Sequence, residues 1–344
     1  MKPYLILGLA AVMAMAACTE NEGEDIPDTG KRAISFAPAY VQGMTRDGTY
    51  MDWTTDNLPM FYVTGYIGAN STPTKIFDQT LVMKLSDVWT YEGGDRYWMP
   101  DNHYFFTAYW PTAADQVICR YDTAFNMYTT QMIGVHNLQN DIIFSQPDTV
   151  YVAKNGNVES GTNVSSDGTT YLTFDHIMTK ALINVTTDFA SGSNLKFVLT
   201  GINLSNCDTI GNFISTTIID SKTKEITVSN LWVNVEGSGE IAASSTTDGV
   251  TKSIPFVLFP EPQDITVTIT GDLYQGNVKV KSPTLTGSLK NFDLNMGNYY
   301  IFTATITEEN VNNNKPLNPI EFKLASVSDW NSNSGTIDPT NDDL

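Results

Sequence analysis

Apolar and polar residues alternate along most of the chain with the two-residue period of β-strands. In Asp264–Leu273, for example, Ile265, Val267 and Ile269 fall on one face and threonines occupy the other. Because successive side chains of a strand point to opposite faces of a sheet, this pattern predicts strands that are buried on one side. The other strand candidates are 33–40, 60–68, 103–111, 140–146, 170–189, 195–206, 254–260 and 299–307, together with a hairpin over 215–229 whose turn is 221–224.

No long stretch after residue 18 has a helical period, so the pattern predicts an all-β fold, with β-sandwiches favoured over a barrel. Residues 152–170 are rich in Gly, Ser and Asn and lack apolar periodicity, which is typical of a domain boundary. We therefore expect two β-sandwich domains in tandem, an N-terminal one at 33–160 and a C-terminal one at 169–344, each long enough for its own core.

The aromatic stretch "RYWMPDNHYFFTAYWP" (96–111) has two interpretations. It could be a platform on which a sugar or peptide stacks, or it could be a strand of the core. Within it, one row consists of Tyr104, Phe106 and Ala108, and the other of Phe105, Thr107 and Tyr109. We predict that one row faces a sandwich interior and the other a second layer, which leaves Trp98 and Trp110 as the platform candidates if they are exposed.

Charge and composition narrow the functional classes. The chain has 19 basic and 38 acidic residues, for a formal net charge of -19, and 41% of its residues are apolar. The apolar fraction is sufficient for a core. Without a positive field to hold phosphates, we expect no nucleic-acid partner and no attraction to an anionic membrane surface.

The chain begins with a targeting segment. Lys2 is followed by an uninterrupted apolar run over Tyr4–Ala17, which is short for a membrane span and ends in small residues. The last four residues of "MKPYLILGLAAVMAMAAC" resemble a bacterial lipobox, which implies cleavage after residue 17 and acylation of Cys18. Residues 1–17 are thus a predicted lipoprotein signal peptide, and a plain secretory signal is the alternative.

The next segment, 18–32, is acidic and contains few apolar residues, so we expect a flexible tether. An acidic run directly after the lipidated cysteine resembles the surface-export signal of Bacteroidales lipoproteins. A solvated acidic linker without a signalling role is the alternative interpretation.

The search for catalytic chemistry finds little. The three histidines have no metal-binding spacing, and no phosphate-binding, dinucleotide-binding or Ser nucleophile motif is present. His176 is expected to be structural. Cys119 and Cys207 lie in different halves of the chain, and we expect no bridge between them. Paired carboxylates remain possible by residue type, but no pair can be chosen. We therefore expect neither an enzyme nor a metal or other cofactor.

Several segments together resemble one family. They are "VWTYEGGDRYWMPDNHYFFTAYWP" (88–111), "NDIIFSQ" (140–146), "LTFDHIMTKALINV" (172–185), "GINLSN" (201–206), "NYYIFTATIT" (298–307) and "SVSDWNSNSG" (326–335). In this order, and with the lipobox, they resemble the fimbrillin or Mfa-like family, the pilins of Bacteroidales type V pili. Each motif is loose, but together they span nearly the whole chain after Cys18.

The resemblance implies two transthyretin-like β-sandwich domains and a structural role in a pilus (fimbria). A lipoprotein precursor would reach the cell surface, anchored in the outer membrane through Cys18. An Arg-specific protease would then remove the first strand, and a strand of a neighbouring subunit would fill the groove by β-augmentation. The implied partners are other pilus subunits, the outer membrane and a host surface ligand.

Residues are carried over onto this sequence as follows. The first strand would be 33–40, with Ile34 and Phe36 facing inward. Arg46, in the polar segment after it, matches the family's cleavage site. Arg32 is the second candidate, although a cut there would leave the strand attached. The alternative is that Arg46 is an ordinary loop residue that is never cut.

The predicted donor strand is 319–330, in which Ile320, Phe322 and Leu324 alternate with charged residues. The same pattern suits the last strand of the protein's own C-terminal sandwich, because a two-residue period does not distinguish an intramolecular groove from an intermolecular one. A different functional class also stays open: a monomeric surface lipoprotein or tip adhesin that binds a host glycan or protein through exposed aromatic residues.

Overall fold

The computed structural model describes residues 32–41, 57–68, 72–111, 113–137, 139, 141–158, 163–165, 168–220, 222–223, 225–244, 253–290, 292–311, 320–330 and 336–337. Within these residues the chain is nearly all β, with one short helix, α1 (Glu308–Val311). The all-β prediction is therefore confirmed. The signal peptide 1–17, Cys18 and Arg46 lie outside the described residues.

In chain order the strands are β1 Ser35–Val41, β2 Met60–Ile67, β3 Thr74–Leu85, β4 Val88–Tyr91, β5 Asn102–Trp110, β6 Ala114–Asp122, β7 Met127–His136, β8 Ile143–Ser145, β9 Asp148–Val152, β10 Thr169–His176, β11 Thr179–Asp188, β12 Leu195–Cys207, β13 Ile210–Ile219, β14 Ile226–Glu236, β15 Gly239–Ser244, β16 Ser253–Leu258, β17 Ile265–Gln275, β18 Val278–Lys281, β19 Thr284–Leu289, β20 Asn298–Thr307, β21 Phe322–Asp329 and β22 Thr336–Ile337. The predicted hairpin is confirmed, since β13 and β14 pair antiparallel around the turn after Ile219.

The described strands form four sheets. The first has the order β1-β10-β8-β5-β2-β3-β4, with β9 also paired to β5. The second has the order β16-β11-β20-β21-β22, and the third β15-β12-β17-β18, with β19 paired to β17. The fourth, β14-β13-β7-β6, combines two strands from the first half of the chain with two from the second.

The first sheet encloses its own core, here called the N-terminal core. Its buried residues are Ile34, Phe36, Leu58, Phe61, Val63, Phe77, Val82, Trp98, Tyr104, Phe106, Ala108, Ile143, Val150, Val152, Leu172 and Phe174. Trp89 and Tyr91 of β4, at the other end of the sheet order from β1, are half-buried against them. A single sheet that buries side chains from its first and last strands together must curve back on itself. As a result, β1 and β4 lie close to each other.

The second and third sheets share another core, the C-terminal core. The alternation seen in the sequence is realised here, because Ile265, Val267 and Ile269 of β17 are each 0% exposed. They pack with Phe302 and Ala304 of β20 in the opposite sheet. This is the sandwich arrangement expected for two sheets that are each apolar on one face.

A third core, the junction core, lies where the two halves of the chain meet. It contains Tyr109 and Phe144 of the first sheet and Met132 and Phe213 of the fourth, together with Trp330. Trp330 follows β21, so the end of the second sheet also packs here. The two halves are therefore joined by buried apolar contacts rather than by a linker alone.

The strand Thr169–His176, which was assigned on sequence to the C-terminal sandwich, lies in the first sheet instead. It pairs parallel with β1 and antiparallel with β8, and Leu172 and Phe174 enter the N-terminal core. The predicted continuous strand 170–189 is therefore broken at Ile177 and Met178, where the chain passes to the second sheet. Pairing with the distant strands β1 and β8 places β10 in the first sheet, although β10 follows the polar segment that was predicted to separate the domains. The count and bounds of the domains remain predictions.

One buried carboxylate makes the fold sensitive to pH. Asp148 shares the buried face of β9 with Val150 and Val152 and is 9% exposed. Burial raises the pKa of this carboxyl to about 6, partly opposed by a backbone hydrogen bond at Thr149. Because the folded pKa is raised, the protonated group favours folding below about pH 4, and that contribution is lost as the pH rises through 6.

Asp148→Asn should accordingly raise the free energy of unfolding at pH 8 by about 3 kcal/mol, the equivalent of a shift of roughly two pKa units, and change it little at pH 4. Urea denaturation of both proteins at the two pH values measures the difference. Asp188→Asn, at the exposed end of β11, is the matched control and should leave the urea denaturation curves of the variant and the native protein superimposed at both pH values. An equal gain at pH 4 and pH 8 would contradict the electrostatic cause.

Candidate functional site: the slot of the first strand

The side chains of the first strand are part of the N-terminal core. Ile34 and Phe36 are each 1% exposed. The Phe36 ring meets the rings of Phe77 and Phe106 edge to face, with centroids 5.0 and 5.2 Å apart. Aromatic pairs in this geometry add to the stabilisation from burial alone. The structure thus places both predicted residues of the first strand inward.

Backbone partners lie on both sides of the chain where the first strand begins. On one side it pairs parallel with β10, with Phe36 opposite Thr170. On the other side the Ile34 N–H donates to the Arg96 carbonyl at 2.7 Å, and the Tyr91 hydroxyl donates to the Ile34 carbonyl at 2.7 Å. The start of the first strand, residues 32–34, therefore lies in a slot beside the segment Arg96–Trp98, while β1 itself pairs with β10 alone among the described strands.

Arg96 holds the outer wall of the slot in place. Its guanidinium lies 4.5 Å from the centroid of the Phe77 ring and donates from Nε to the Ile76 carbonyl at 2.7 Å. A cation over an aromatic face is attracted by the ring quadrupole. The same ring also contacts Phe36, so the wall and the strand are supported by one aromatic group.

Gly168 and Trp98 close the slot beneath the start of the strand. The Trp98 indole N–H donates to the Gly168 carbonyl at 3.1 Å, which joins the two walls. Gly168 has φ +93°, and a Cβ there would lie 2.5 Å from the Ala33 carbonyl oxygen. This position requires glycine for two reasons, its left-handed backbone and the close approach of Ala33.

The runner-up cleavage residue, Arg32, lies at the mouth of the slot. Its side chain is exposed, but its carbonyl accepts the Trp98 N–H at 3.0 Å. The next residues are also tied, because Ala33 bridges to Tyr97. A protease would have to unpair this backbone before it could cut after Arg32. Arg46 cannot be compared, since it lies outside the described residues.

The predicted donor segment is placed in the protein's own second sheet. Phe322 and Leu324 lie in β21 opposite Ala304 and Phe302 of β20, and Ile320 bridges to Gly287. Ile320 is buried in the C-terminal core, whereas Phe322 and Leu324 are half-buried against it. Of the two interpretations left open by the sequence, this arrangement is that of a strand of the protein's own C-terminal half.

Trp330, just after β21, is anchored in the junction core. Its ring stacks on His176 with centroids 4.1 Å apart and planes 5° apart, and both side chains are buried. His176 Nδ1 lies 2.7 Å from Asp141 Oδ2. Lys180 Nζ lies 5.5 Å from the Trp330 ring centroid. His176 is thus held by distant partners that no sequence spacing revealed.

The aromatic stretch of β5 is buried on both faces. Phe106 faces the N-terminal core, whereas Tyr109 enters the junction core. Phe105 stacks on Tyr128 of β7 with centroids 3.9 Å apart. The predicted second layer is therefore the fourth sheet. Of the two platform candidates, Trp98 is 6% exposed and is too buried to serve as one.

The described residues offer little reactive chemistry. Among them, no group of three or more His, Cys, Asp or Glu side chains could hold a metal ion. Cys119 and Cys207 are buried free thiols, and burial raises the pKa of both, that of Cys207 to about 12. Such thiols are poor nucleophiles. The described helix is neither long nor apolar enough to cross a membrane.

Comparisons with known proteins bear on the family and the fold, and the region matched by the family model begins after the first strand. A family model described as Fimbrillin-like matches residues 45–330. A fimbrial protein from Bacteroides vulgatus ATCC 8482 has a similar fold, with a TM-score of 0.51 and 16% identity over 87% of this chain and 99% of its own. A candidate cell adhesion protein from Bacteroides uniformis ATCC 8492 has a TM-score of 0.46 and 15% identity over 88% of this chain and 99% of its own. No curated protein matches the sequence significantly.

Gly168→Ala should destabilise the protein more than Gly192→Ala does. Both glycines have φ +93°, but nothing lies within 4 Å of a Cβ at Gly192. We expect about 1–2 kcal/mol from backbone strain in either variant, and about 1–3 kcal/mol more at Gly168 from overlap with Ala33. Urea denaturation gives the energies, and hydrogen exchange at Ser35 and Phe36 should rise only in Gly168→Ala. Equal losses in the two variants would contradict the role of Gly168 in seating β1.

Proposed function

Because the chain belongs to the Fimbrillin-like family, we propose that it is a structural subunit of a cell-surface pilus and that it polymerises when a neighbouring subunit replaces its first strand. The observation that carries this proposal is the position of β1. The strand fills the N-terminal core with Ile34 and Phe36, yet a single cut after Arg46 would leave it attached by non-covalent contacts alone.

Loss of β1 would create a strong binding site. The apolar surface that now covers Ile34 and Phe36 would meet water, at a cost of about 1.5–3 kcal/mol for each large side chain. The backbone groups of β10 and Arg96–Trp98 would also lose their partners. An extended peptide that restores both kinds of contact binds by β-augmentation, and no catalytic step beyond the cut is needed.

The donor segment matches the strand that it would replace. Ile320 and Phe322 of the donor segment have the same types and spacing as Ile34 and Phe36 of the first strand. The next inward position is Pro38 in the first strand and Leu324 in the donor segment. In this register the charged residues between them would point outward, away from the core.

The apolar surface buried at Phe322 also favours the exchange of β1 for the donor segment. Phe322 is half-buried in its own sheet, whereas Phe36 in the slot is 1% exposed. Moving Phe322 from β21 into the slot of a neighbouring subunit would therefore bury more apolar surface than it exposes at that residue. The register shift between Ile301 and Phe302, next to Leu324, further weakens the pairing that β21 has to give up.

The complete proposal includes the route to the cell surface. Residues 1–17 direct export, Cys18 carries the lipid that anchors the precursor in the outer membrane, and 18–32 is the tether. The support for this part is the lipobox-like sequence. The protein has no enzymatic role in the proposal, in keeping with the non-enzymatic character of the family.

Cleavage after Arg46 should trigger polymerisation. Trypsin treatment of the purified chain is expected to release the segment that contains β1 and to give a ladder on unheated gels. Arg46→Ala should abolish the ladder. Arg32→Ala is the control and should retain it, because the backbone at Arg32 is paired. A ladder from Arg46→Ala, or none from the cleaved native chain, would count against the mechanism.

Phe322→Ala should slow ladder formation by the cleaved chain at least tenfold, since the variant lacks the group that replaces Phe36. Phe292→Ala is a matched control, because Phe292 is also half-buried against the C-terminal core, with its ring centroid 5.0 Å from that of Phe302. Both variants should lose similar stability on urea denaturation, about 2–4 kcal/mol. If both slowed assembly equally, the effect would come from general destabilisation and the donor role of Phe322 would be rejected.

A further inference from the structure

The edge strands of the described sheets differ in how well they are protected. An edge presents unpaired backbone groups, and proteins usually block association there with charges, proline or short strands. Several edges here have such a feature. Two carry charges, namely Asp115, Arg120 and Asp122 in β6 and Lys279 and Lys281 in β18; β16 contains Pro255; and β4 and β22 are only four and two residues long.

The edge strand β14 lacks this protection. Its sequence ITVSNLWVNVE contains no charged residue before Glu236 and no proline. One side pairs with β13, and no described strand pairs with the other. Ile226 and Val228 are each 41% exposed and Leu231 is 39% exposed. A long uncharged edge with exposed apolar side chains is expected to pair with another strand.

Apolar groups flank this edge on both faces of the fourth sheet. Ile226 and Val228 lie on one face, and Leu231 lies on the other. On that second face, Ile218 of β13 is 41% exposed, opposite Thr227. An added strand would therefore gain side-chain contacts above and below the sheet in addition to backbone hydrogen bonds.

We propose that β14 is a lateral docking surface for a second copy of this chain, in which the two β14 strands pair antiparallel about a two-fold axis at Ser229. In this register Thr227 lies opposite Leu231 of the second copy, and Ile226 lies opposite Trp232. The two-fold makes the contact self-complementary, so that each pair of residues occurs twice. The result is a continuous eight-stranded sheet made from the two fourth sheets.

The local arrangement of charges in the proposed register favours a second copy as the occupant. The chain carries a net charge of -19, so two copies repel each other over most of their surfaces and can pair only where like charges are kept apart. The proposed register brings no two charges together along Ile226–Trp232. It also directs Glu236 beyond the end of the partner strand, towards the turn that contains Lys222, which favours antiparallel pairing of identical strands.

This contact is independent of strand replacement at β1. It involves the fourth sheet, needs no cleavage, and joins subunits side by side through equivalent surfaces. Its test can therefore use the intact chain, and failure of either mechanism leaves the other untouched.

The first experiment compares Val228→Lys with Val280→Lys by sedimentation velocity over a range of concentrations. Val280 lies in the edge strand β18 and is 49% exposed, so it is a matched control. The native chain and Val280→Lys should form a dimer, and Val228→Lys should weaken dimerisation at least tenfold without lowering the melting temperature. A native chain that stays monomeric, or equal weakening by the two substitutions, would overturn the proposal.

The second experiment tests the register by disulfide formation in the full chain with Cys18→Ser. Ser229→Cys should cross-link readily under air oxidation, because directly opposed residues have Cβ atoms about 4.5–5.5 Å apart. Thr216→Cys, opposite Ser229 within the same sheet but one strand further from the edge, should not. Cys119 and Cys207 are buried and should not interfere. Equal cross-linking of the two variants, or none at Ser229→Cys, would reject the two-fold at Ser229.

Discussion

The ring of Phe36 between Phe77 and Phe106 is the contact on which the N-terminal half depends. These rings come from β1, β3 and β5, and β1 is far from both of the other strands in the order of the first sheet, so the contact requires the sheet to curl around the three rings. The Arg96–Trp98 segment then pairs with the residues directly before β1. Phe36 of the first strand is therefore packed within this core, although β1 stands at one end of the sheet order.

The junction core joins this arrangement to the other end of the chain. His176 ends β10, the strand that pairs with β1, and it stacks on Trp330, which directly follows β21. The motifs around these two residues contributed separately to the family resemblance, and the structure shows them as one packed group. One aromatic stack thus connects β10, which pairs with the strand proposed to leave, to β21, which is the proposed donor strand.

Sequence alone predicted the parts of this fold that depend on local alternation. The first strand, the β13–β14 hairpin and the buried face of β17 were predicted because apolar residues recur at every second position. The strands β3, β6 and β7 were not. β3 is interrupted at Gln79, with φ +48°, β6 carries charged residues and Gln, and β7 carries Thr and Gln. The slot walls and the partner of His176 depend on contacts between distant segments, which periodicity does not encode.

The parallel pairing of β1 with β10 has a mechanical consequence. If the precursor is held at the cell surface through residues before Arg32, a pull on the subunit acts along the axis of β1. The hydrogen bonds to β10 and to Arg96–Trp98 then lie across the direction of force and share the load, instead of opening one after another. Resistance to force is governed by the rate of unfolding, so this seating would keep β1 in the fold of an uncut subunit under shear. After a cut beyond the strand, the same hydrogen bonds and core contacts would be all that joins the body of the protein to its tether.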